Sequence, residues 1–267
     1  MQLETLCLKT NAIVLETGAF IRAQASRLEE IEIEEKAANN LVSNVDRHAE
    51  EQLVARLSEL IPGSGLITEE QTENITGKTW EWIIDPLDGT TNFLYGIPFF
   101  SISVGLRHNG LVVAGAVYEV MRNELFYAWK GGGAYLNGKK IAVSSRSSLR
   151  GSLLATGFPF HDFSLIQPYM QVFSYLMQNT RGLRRLGSAA LDLAYVGCGR
   201  FDGFFEYSLN PWDVAAGTII IQEAGGVVTD FSGGSNYLFG REIIASNPHI
   251  ADQLRNIIQQ TFKQTRE

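Results

Sequence analysis
Leu3, Leu6, Thr10, Ile13, Val14, Thr17 and Ile21 recur with the period of an amphipathic helix, so the chain is predicted to open on a long one. Ala49, Leu53, Leu57 and Leu60 mark the buried side of a second helix, closed by Pro62-Gly63-Ser64-Gly65. Leu66-Ile67-Thr68 reads as a short strand running into Glu69-Glu70, and Trp80-Glu81-Trp82-Ile83-Ile84 as a buried one. Strand-like runs follow at 100–107, 111–120 and 124–129, with Asn137-Gly138 as a hairpin signal, so the middle of the chain is predicted to be an antiparallel meander. Beyond Gly151 the pattern mixes strands at 152–156, 204–206, 226–230 and 242–245 with helices at 167–178, 188–198 and 214–223. Ile250, Leu254, Ile257, Ile258 and Phe262 give a closing helix. Without strict βαβ alternation, this order favours a layered α+β sandwich with mixed sheets over a Rossmann sheet.

One stretch departs from the pattern. From Arg27 to Asn40 apolar residues are sparse and Glu29, Glu30, Glu32, Glu34, Glu35 and Lys36 crowd together. It reads as a solvated loop or hairpin, either a plain connection or a mobile flap.

The 267 residues, 45% of them hydrophobic, suit one large domain or two closely packed halves, about 1–148 and 149–267. The net charge of −7 argues against a broad nucleic-acid surface. It also opposes an anionic substrate, unless some of the acids hold divalent cations that reverse the local field. Cys7 and Cys198 make neither a disulfide framework nor a zinc cluster, which suggests a reducing compartment. With no signal-peptide pattern and no apolar stretch of about 18 residues, the expectation is a soluble cytoplasmic protein that does not engage a membrane.

The most informative run is Asp85-Pro86-Leu87-Asp88-Gly89-Thr90-Thr91, placed where a buried strand ends. Asp85 and Asp88 could share a hard cation, the Leu87 carbonyl could add a third oxygen, and the Gly89 and Thr90 amides could face an anion. Read alone, Asp-Pro and Asp-Gly are also common turn dipeptides. Asp46 and Asp213 each stand where a helix starts and could be simple N-caps. Glu69 and Glu70 could be solvated acids, whereas Glu206, set between Phe205 and Tyr207, needs a partner. Arg184-Arg185, before Gly187-Ser188-Ala189-Ala190, could meet an anion or a subunit neighbour, or face water.

Taken together, these segments resemble the inositol monophosphatase family of magnesium-dependent, lithium-sensitive phosphatases. Trp82-Ile83-Ile84-Asp85-Pro86-Leu87-Asp88-Gly89-Thr90-Thr91-Asn92-Phe93 is similar to its first signature, and Trp212-Asp213-Val214-Ala215-Ala216-Gly217 through Gly226 to its second. Leu41–Asp46, Thr68-Glu69-Glu70, Gly187–Ala190 and Gly203–Glu206 fall in the family's order around them.

The resemblance implies a single catalytic domain with an αβαβα sugar-phosphatase fold, two or three Mg²⁺ per site and a homodimer. By the same resemblance, Glu69, Asp85 and the Leu87 carbonyl would hold one ion, and Asp85, Asp88 and Asp213 a second. Asp46 and Thr90, with Glu69, would be the catalytic residues, activating water. The Gly89 and Thr90 amides would meet the phosphate, Arg184, Gly187, Ser188, Ala189 and Glu206 would line the pocket for the alcohol, and Leu87, Asp88 and Asp213 would also be substrate-binding. No nucleophilic side chain is needed, which leaves His48, His108, His161 and His249 as surface or packing residues.

The family pattern is departed from at Thr68, where Gly is more frequent, at Asn40 and Ser43, where many members carry Asp and Thr, and at Tyr95, often His. The implied activity is hydrolysis of inositol monophosphate or a similar small polyol phosphate. Fructose 1,6-bisphosphatase or 3′-phosphoadenosine 5′-phosphate phosphatase activity is the alternative on the same framework, and a protein-binding regulator with incidental activity is the alternative of another class.

Overall fold
A computed structural model describes residues 2–31, 33–37, 40–71, 73–159 and 162–266. The opening helix α1 (Leu3–Gln24) is followed by a hairpin, β1 (Ile33–Ala37) and β2 (Asn40–Ser43), and by α2 (Asn44–Leu60). Within the charged stretch β1 pairs antiparallel with β2, and the Arg47–Glu34 ion pair joins β1 to α2. The side chains of Lys36 and Asn40 lie outside the described residues.

A seven-stranded sheet follows, with its strands side by side in chain order: β3 (Gly65–Thr68), β4 (Trp80–Asp88), β5 (Ser101–His108), β6 (Leu111–Glu119), β7 (Glu124–Trp129), β8 (Gly133–Leu136) and β9 (Lys139–Ile141). It is the predicted meander, extended by β3, which pairs parallel to β4. Asn137 and Gly138 take the two left-handed conformations that a tight hairpin turn requires, closing β8 onto β9. The short helix α3 (Thr90–Leu94) leaves the end of β4.

The rest of the chain forms β10 (Leu153–Thr156), α4 (Ile166–Asn179), β11 (Gly182–Arg184), α5 (Ala189–Gly197), β12 (Gly203–Tyr207), α6 (Pro211–Glu223), β13 (Val227–Thr229), β14 (Glu242–Ser246) and α7 (Ala251–Arg266). Its five strands run in the order β11-β10-β12-β14-β13, parallel across β11, β10 and β12 and antiparallel beyond. The three-residue edge strand β11 was not anticipated; it is too short to show a period and exists by pairing with β10.

The layers follow from which faces are apolar. Leu6, Val14, Ile21, Leu53 and Leu57 of α1 and α2 pack on Trp82, Ile84 and Leu106 on one face of the large sheet. Residues 214–221 of α6 are buried all round, as expected of a helix clamped between two sheets, and α5 lies beside it. On the far face of the small sheet, Tyr169, Val172 and Leu176 of α4 meet Leu254, Ile258 and Phe262 of α7. The result is the expected layered αβαβα sandwich. Among the described residues, no helix is long and apolar enough to cross a membrane.

The middle helix layer depends on close approach. A Cβ at Gly115 of β6 would stand 2.8 Å from Ala216 Cα and 2.8 Å from Ile219 Cγ2 of α6. Neither obstacle is a flexible chain end, so Gly115→Ala is expected to push α6 off the sheet and cost about 1–3 kcal/mol in urea denaturation. Wild-type stability in that variant would show that the layer is looser than its geometry.

Candidate active site
The site begins with a fault in β4. Asp85 pairs with Ser103 and Asp88 with Ser101, so two residues of β4, Pro86 and Leu87, stand opposite Ile102 alone. Pro86 has no N–H to give the ladder, and the extra residue forms a bulge. Residues three apart on a regular strand face opposite sides. Here the bulge brings Asp85 and Asp88 to the same side, facing α5 and α6. The Leu87 N–H donates to Asp85 Oδ1 at 2.9 Å, which fixes the bulged turn.

Three helix N-termini converge on this edge. Ser43 caps α2, and Asp46, three residues on, accepts from the Ser43 N–H at 2.8 Å and from the Ser43 hydroxyl. The other oxygen of Asp46, Oδ1, takes the Thr90 hydroxyl at 2.9 Å. At α6, with Pro211 in its first turn, Asp213 Oδ2 accepts from the Asn210 N–H at 2.7 Å. At α5, the N-cap hydroxyl of Ser188 donates to Asp88 Oδ2 at 2.6 Å, and the Ala190 N–H donates to the same oxygen at 2.7 Å. The positive ends of three helix dipoles therefore face a group of acids. Capping and site-building are the same act at Asp46 and Asp213.

Glu69 follows β3, and the neighbouring Glu70 N–H is held by Glu50 Oε2 at 2.8 Å. Glu50 is fully buried one helical turn beyond Asp46, and as a support for the Glu69-Glu70 turn it was not singled out from sequence.

Glu69, Asp85, Leu87, Asp88, Gly89, Thr90, Gly187, Ser188, Ala189, Glu206 and Asp213 all line one cavity of about 200 Å³. Asp46 sits behind Thr90, fully buried. Gly89 has φ +96°, and a Cβ there would crowd the Gly187 carbonyl at 3.1 Å, so the two loops touch. Asn92 ties them together by donating to the Phe99 and Leu186 carbonyls, each at 2.8 Å.

Arg184 is the exception. It is exposed, its Nη1 donates to the Leu183 carbonyl at 3.0 Å, and it stands away from the cavity; the neighbouring Arg185 lines it instead. Side chains alternate across the end of β11, so one step in sequence exchanges pocket for solvent. Asp192 and Leu41 also line the cavity and were not foreseen; an acid inside the apolar run Ala189–Ala194 was the available signal for Asp192. His48 and His249 are exposed, His108 stacks on Trp80, and none of the three lines the cavity, while His161 lies outside the described residues.

Electrostatically the cavity is costly as a bare protein. Burial raises the Asp85 carboxyl far above its ordinary range, and the Glu69, Asp88 and Asp213 carboxylates add to the shift; Glu69 and Asp85 are hydrogen-bonded to each other. Burial raises Asp88 to about 6 against the pull of the Ser188 and Ala190 donors, and raises Asp213 to about 7 with help from Asp88. Asp46 is also raised by burial, opposed by Ser43 and Thr90.

A family model described as the inositol monophosphatase family matches residues 3–264. The chain belongs to the inositol monophosphatase family. A similar relative is the Nus factor SuhB of Escherichia coli strain K12, 44% identical over 234 residues, which cover 87% of this chain and 88% of that protein. The extragenic suppressor protein suhB from Bartonella henselae superposes with a TM-score of 0.89 at 39% identity, covering 93% of this chain and 96% of the other. The inositol monophosphatase from Anabaena (Nostoc) sp. PCC 7120 gives a TM-score of 0.85 at 33% identity, covering 97% of each chain.

A hard divalent cation fits this inositol monophosphatase pocket by chemistry: its acidic donors are all oxygens, they repel one another, and two of them are hydrogen-bonded together. Among the described residues these acids are not drawn into a ready-made group around one ion, as mutually repelling carboxylates would not be.

Because these shifts are upward, the metal-free folded chain holds more protons than the unfolded chain between about pH 4 and about pH 7. The stability tied to these groups is complete below the lower limit and is lost as pH rises through about 6 and then about 7. In EDTA, Asp213→Asn is expected to flatten this fall and to exceed wild type by about 1–3 kcal/mol near pH 8 in chemical denaturation. An unchanged slope would show that Asp213 carries no such penalty.

Proposed function
We propose that the chain is a Mg²⁺-dependent phosphomonoesterase that hydrolyses inositol monophosphate or a similar small polyol phosphate. The observation that carries this reading is the convergence of Glu69, Asp85, Asp88 and Asp213 on one cavity, beside the hydrogen-bonded pair Thr90–Asp46. Family membership supports the reaction class, and the polar and acidic groups Ser188, Asp192 and Glu206 in the same lining suit an alcohol that carries further hydroxyls.

Glu69, Asp85, the Leu87 carbonyl, Asp88 and Asp213 are the groups that would hold the cations. Bound there, divalent cations supply Lewis-acid stabilisation of the phosphoryl charge and a nucleophile available at neutral pH. The chain's own part starts at Thr90. Its hydroxyl stands 2.9 Å from Asp46 Oδ1 and 3.0 Å from the Leu87 carbonyl, and it has one proton to give. Donated to Asp46, that proton leaves the Thr90 oxygen lone pairs to hold a water on the cavity side. Burial strengthens Asp46 as the final proton acceptor, while its Ser43 contacts fix its orientation. The Gly89 and Thr90 amides, at the start of α3, are the phosphate contacts in this reading, and Gly187, Ser188, Ala189 and Glu206 form the alcohol side.

A second reading, a regulatory role beside the activity, is favoured by the designation Nus factor carried by the Escherichia coli relative. A stoichiometric partner that is captured equally by wild type and Asp85→Asn would support it.

The direct test is phosphate release from myo-inositol 1-phosphate, fructose 1,6-bisphosphate, 3′-phosphoadenosine 5′-phosphate and β-glycerophosphate, with Mg²⁺, with EDTA and with added Li⁺. Mg²⁺-dependent turnover favouring the inositol ester is expected, and a preference for either bisphosphate would move the substrate to another branch. Asp85→Asn is expected to abolish turnover. Asp46→Asn should lower kcat about 10²–10⁴-fold while leaving the Mg²⁺ requirement nearly unchanged. Near-normal kcat in Asp85→Asn, or no turnover of any ester by the folded wild type, would overturn the assignment.

A further inference from the structure
The alcohol side of the cavity contains an acid for which neither the fold nor the proton-transfer pair has a use. Asp192 stands on α5 within Ala189-Ala190-Leu191-Asp192-Leu193-Ala194. It is 2% exposed, yet it lines the same cavity as Glu206 and Arg185. Its backbone N–H is satisfied by the Ser188 carbonyl at 3.0 Å, but its side-chain Oδ1 has no hydrogen-bond partner. A buried carboxyl oxygen without a donor lowers stability, and an apolar residue would serve the helix better. The cavity that Asp192 lines is the side from which a donor could be supplied.

The neighbouring part of the wall is held by its own contacts. The Gly157 N–H holds the Glu206 carboxylate, and a Cβ at Gly157 would stand 2.0 Å from Glu206 Oε1. The Gly157 carbonyl is itself held by the hydroxyl of fully buried Tyr169 at 2.5 Å. Burial raises the Asp192 and Glu206 carboxyls well above the ordinary carboxylate range and Asp88 to about 6; Arg185, the one cationic side chain among the described residues of the lining, opposes each shift. The wall therefore offers two buried carboxyl groups as acceptors, tempered by one guanidinium.

We propose that Asp192 is a specificity-determining residue, whose carboxyl accepts a hydrogen bond from a hydroxyl on the alcohol part of the substrate and so selects polyol phosphates over esters of alcohols that bear no further hydroxyl. This rests on the phosphatase reading above. Phosphate recognition and proton transfer lie with other residues, so Asp192 acts on the choice of ester and leaves the chemistry of the phosphoryl group alone.

The test compares kcat/KM for myo-inositol 1-phosphate and for phenyl phosphate, which presents a phosphate on a ring without hydroxyls, in the full chain with Mg²⁺. Asp192→Ala is expected to lower the value for the inositol ester about tenfold to a hundredfold and that for phenyl phosphate by less than about threefold. Asp192→Asn, which keeps an acceptor oxygen without the charge, should fall between, with an inositol-specific loss of about three- to tenfold. Because Oδ1 has no partner, Asp192→Asn is also expected to melt no lower than wild type, and it carries the test by itself if the alanine variant does not fold. Equal losses on both esters, or unchanged inositol kinetics in both variants, would overturn the proposal while leaving the phosphatase reading intact. A wild type that hydrolyses neither ester would overturn both, and is seen before any variant is made.

Discussion
Carboxylates can be gathered in a protein interior only if something other than water offsets their charge. Here backbone N–H groups at helix starts do much of that. Asp46 accepts from the N–H that opens α2, Asp213 from the N–H that opens α6, and Asp88 from the first turn of α5. Each contact satisfies a donor that the helix leaves unpaired and sets a negative group at the positive end of a dipole. The requirement reaches far into the fold. α2 lies on the outer face of the seven-stranded sheet and α5 and α6 on its inner face, so three helices from two layers must point their starts at one edge. That edge is where β4 ends, and nothing about β4 as a regular strand would suit it.

The fault in β4 resolves the geometry. A regular strand would send Asp85 and Asp88 to opposite faces, one into the packing of α1 and α2. Pro86 removes a ladder donor, the bulge inserts one residue, and both acids come to the inner side. Gly89 then turns the chain in a conformation that side chains rarely adopt, and Gly187 does the same on the opposing loop. Asn92 locks the two turns together through the Phe99 and Leu186 carbonyls. Proline, glycine and asparagine thus place the carboxylates with no contribution from the large apolar clusters beyond a rigid base.

This division explains what could be read in the chain. Long periodic segments such as α1 and the strands of the meander are set by burial of one face, and burial leaves a period in sequence. The metal-type acids were legible as well, because the bulge and the caps are made by short local motifs. At Asp46 and Asp213 local sequence posed capping and function as alternatives, and the structure combines them, with one residue serving both. Of the pair Arg184-Arg185, the first was assigned to the pocket where the structure places the second, because β11 has three residues and shows no alternation from which to choose the inward side. Asp192 was missed for a different reason. An acid in the run Ala-Ala-Leu-Asp-Leu-Ala contradicts the burial of its helix, and such a contradiction is itself a signal of a site. The strand pair β1 and β2 was open between loop and hairpin, since charged strands paired to each other leave little apolar pattern.

The same construction ties occupancy of the cavity to the whole sandwich. α5 and α6 are the layer shared by the two sheets, and their first turns carry Ser188 and Asp213 into the site. Repulsion among the acids therefore acts on the layer between the two sheets. Any group that binds the folded cavity and relieves the repulsion stabilises that layer by mass action, without touching the apolar clusters. Stability and ligand state are coupled through three helix starts.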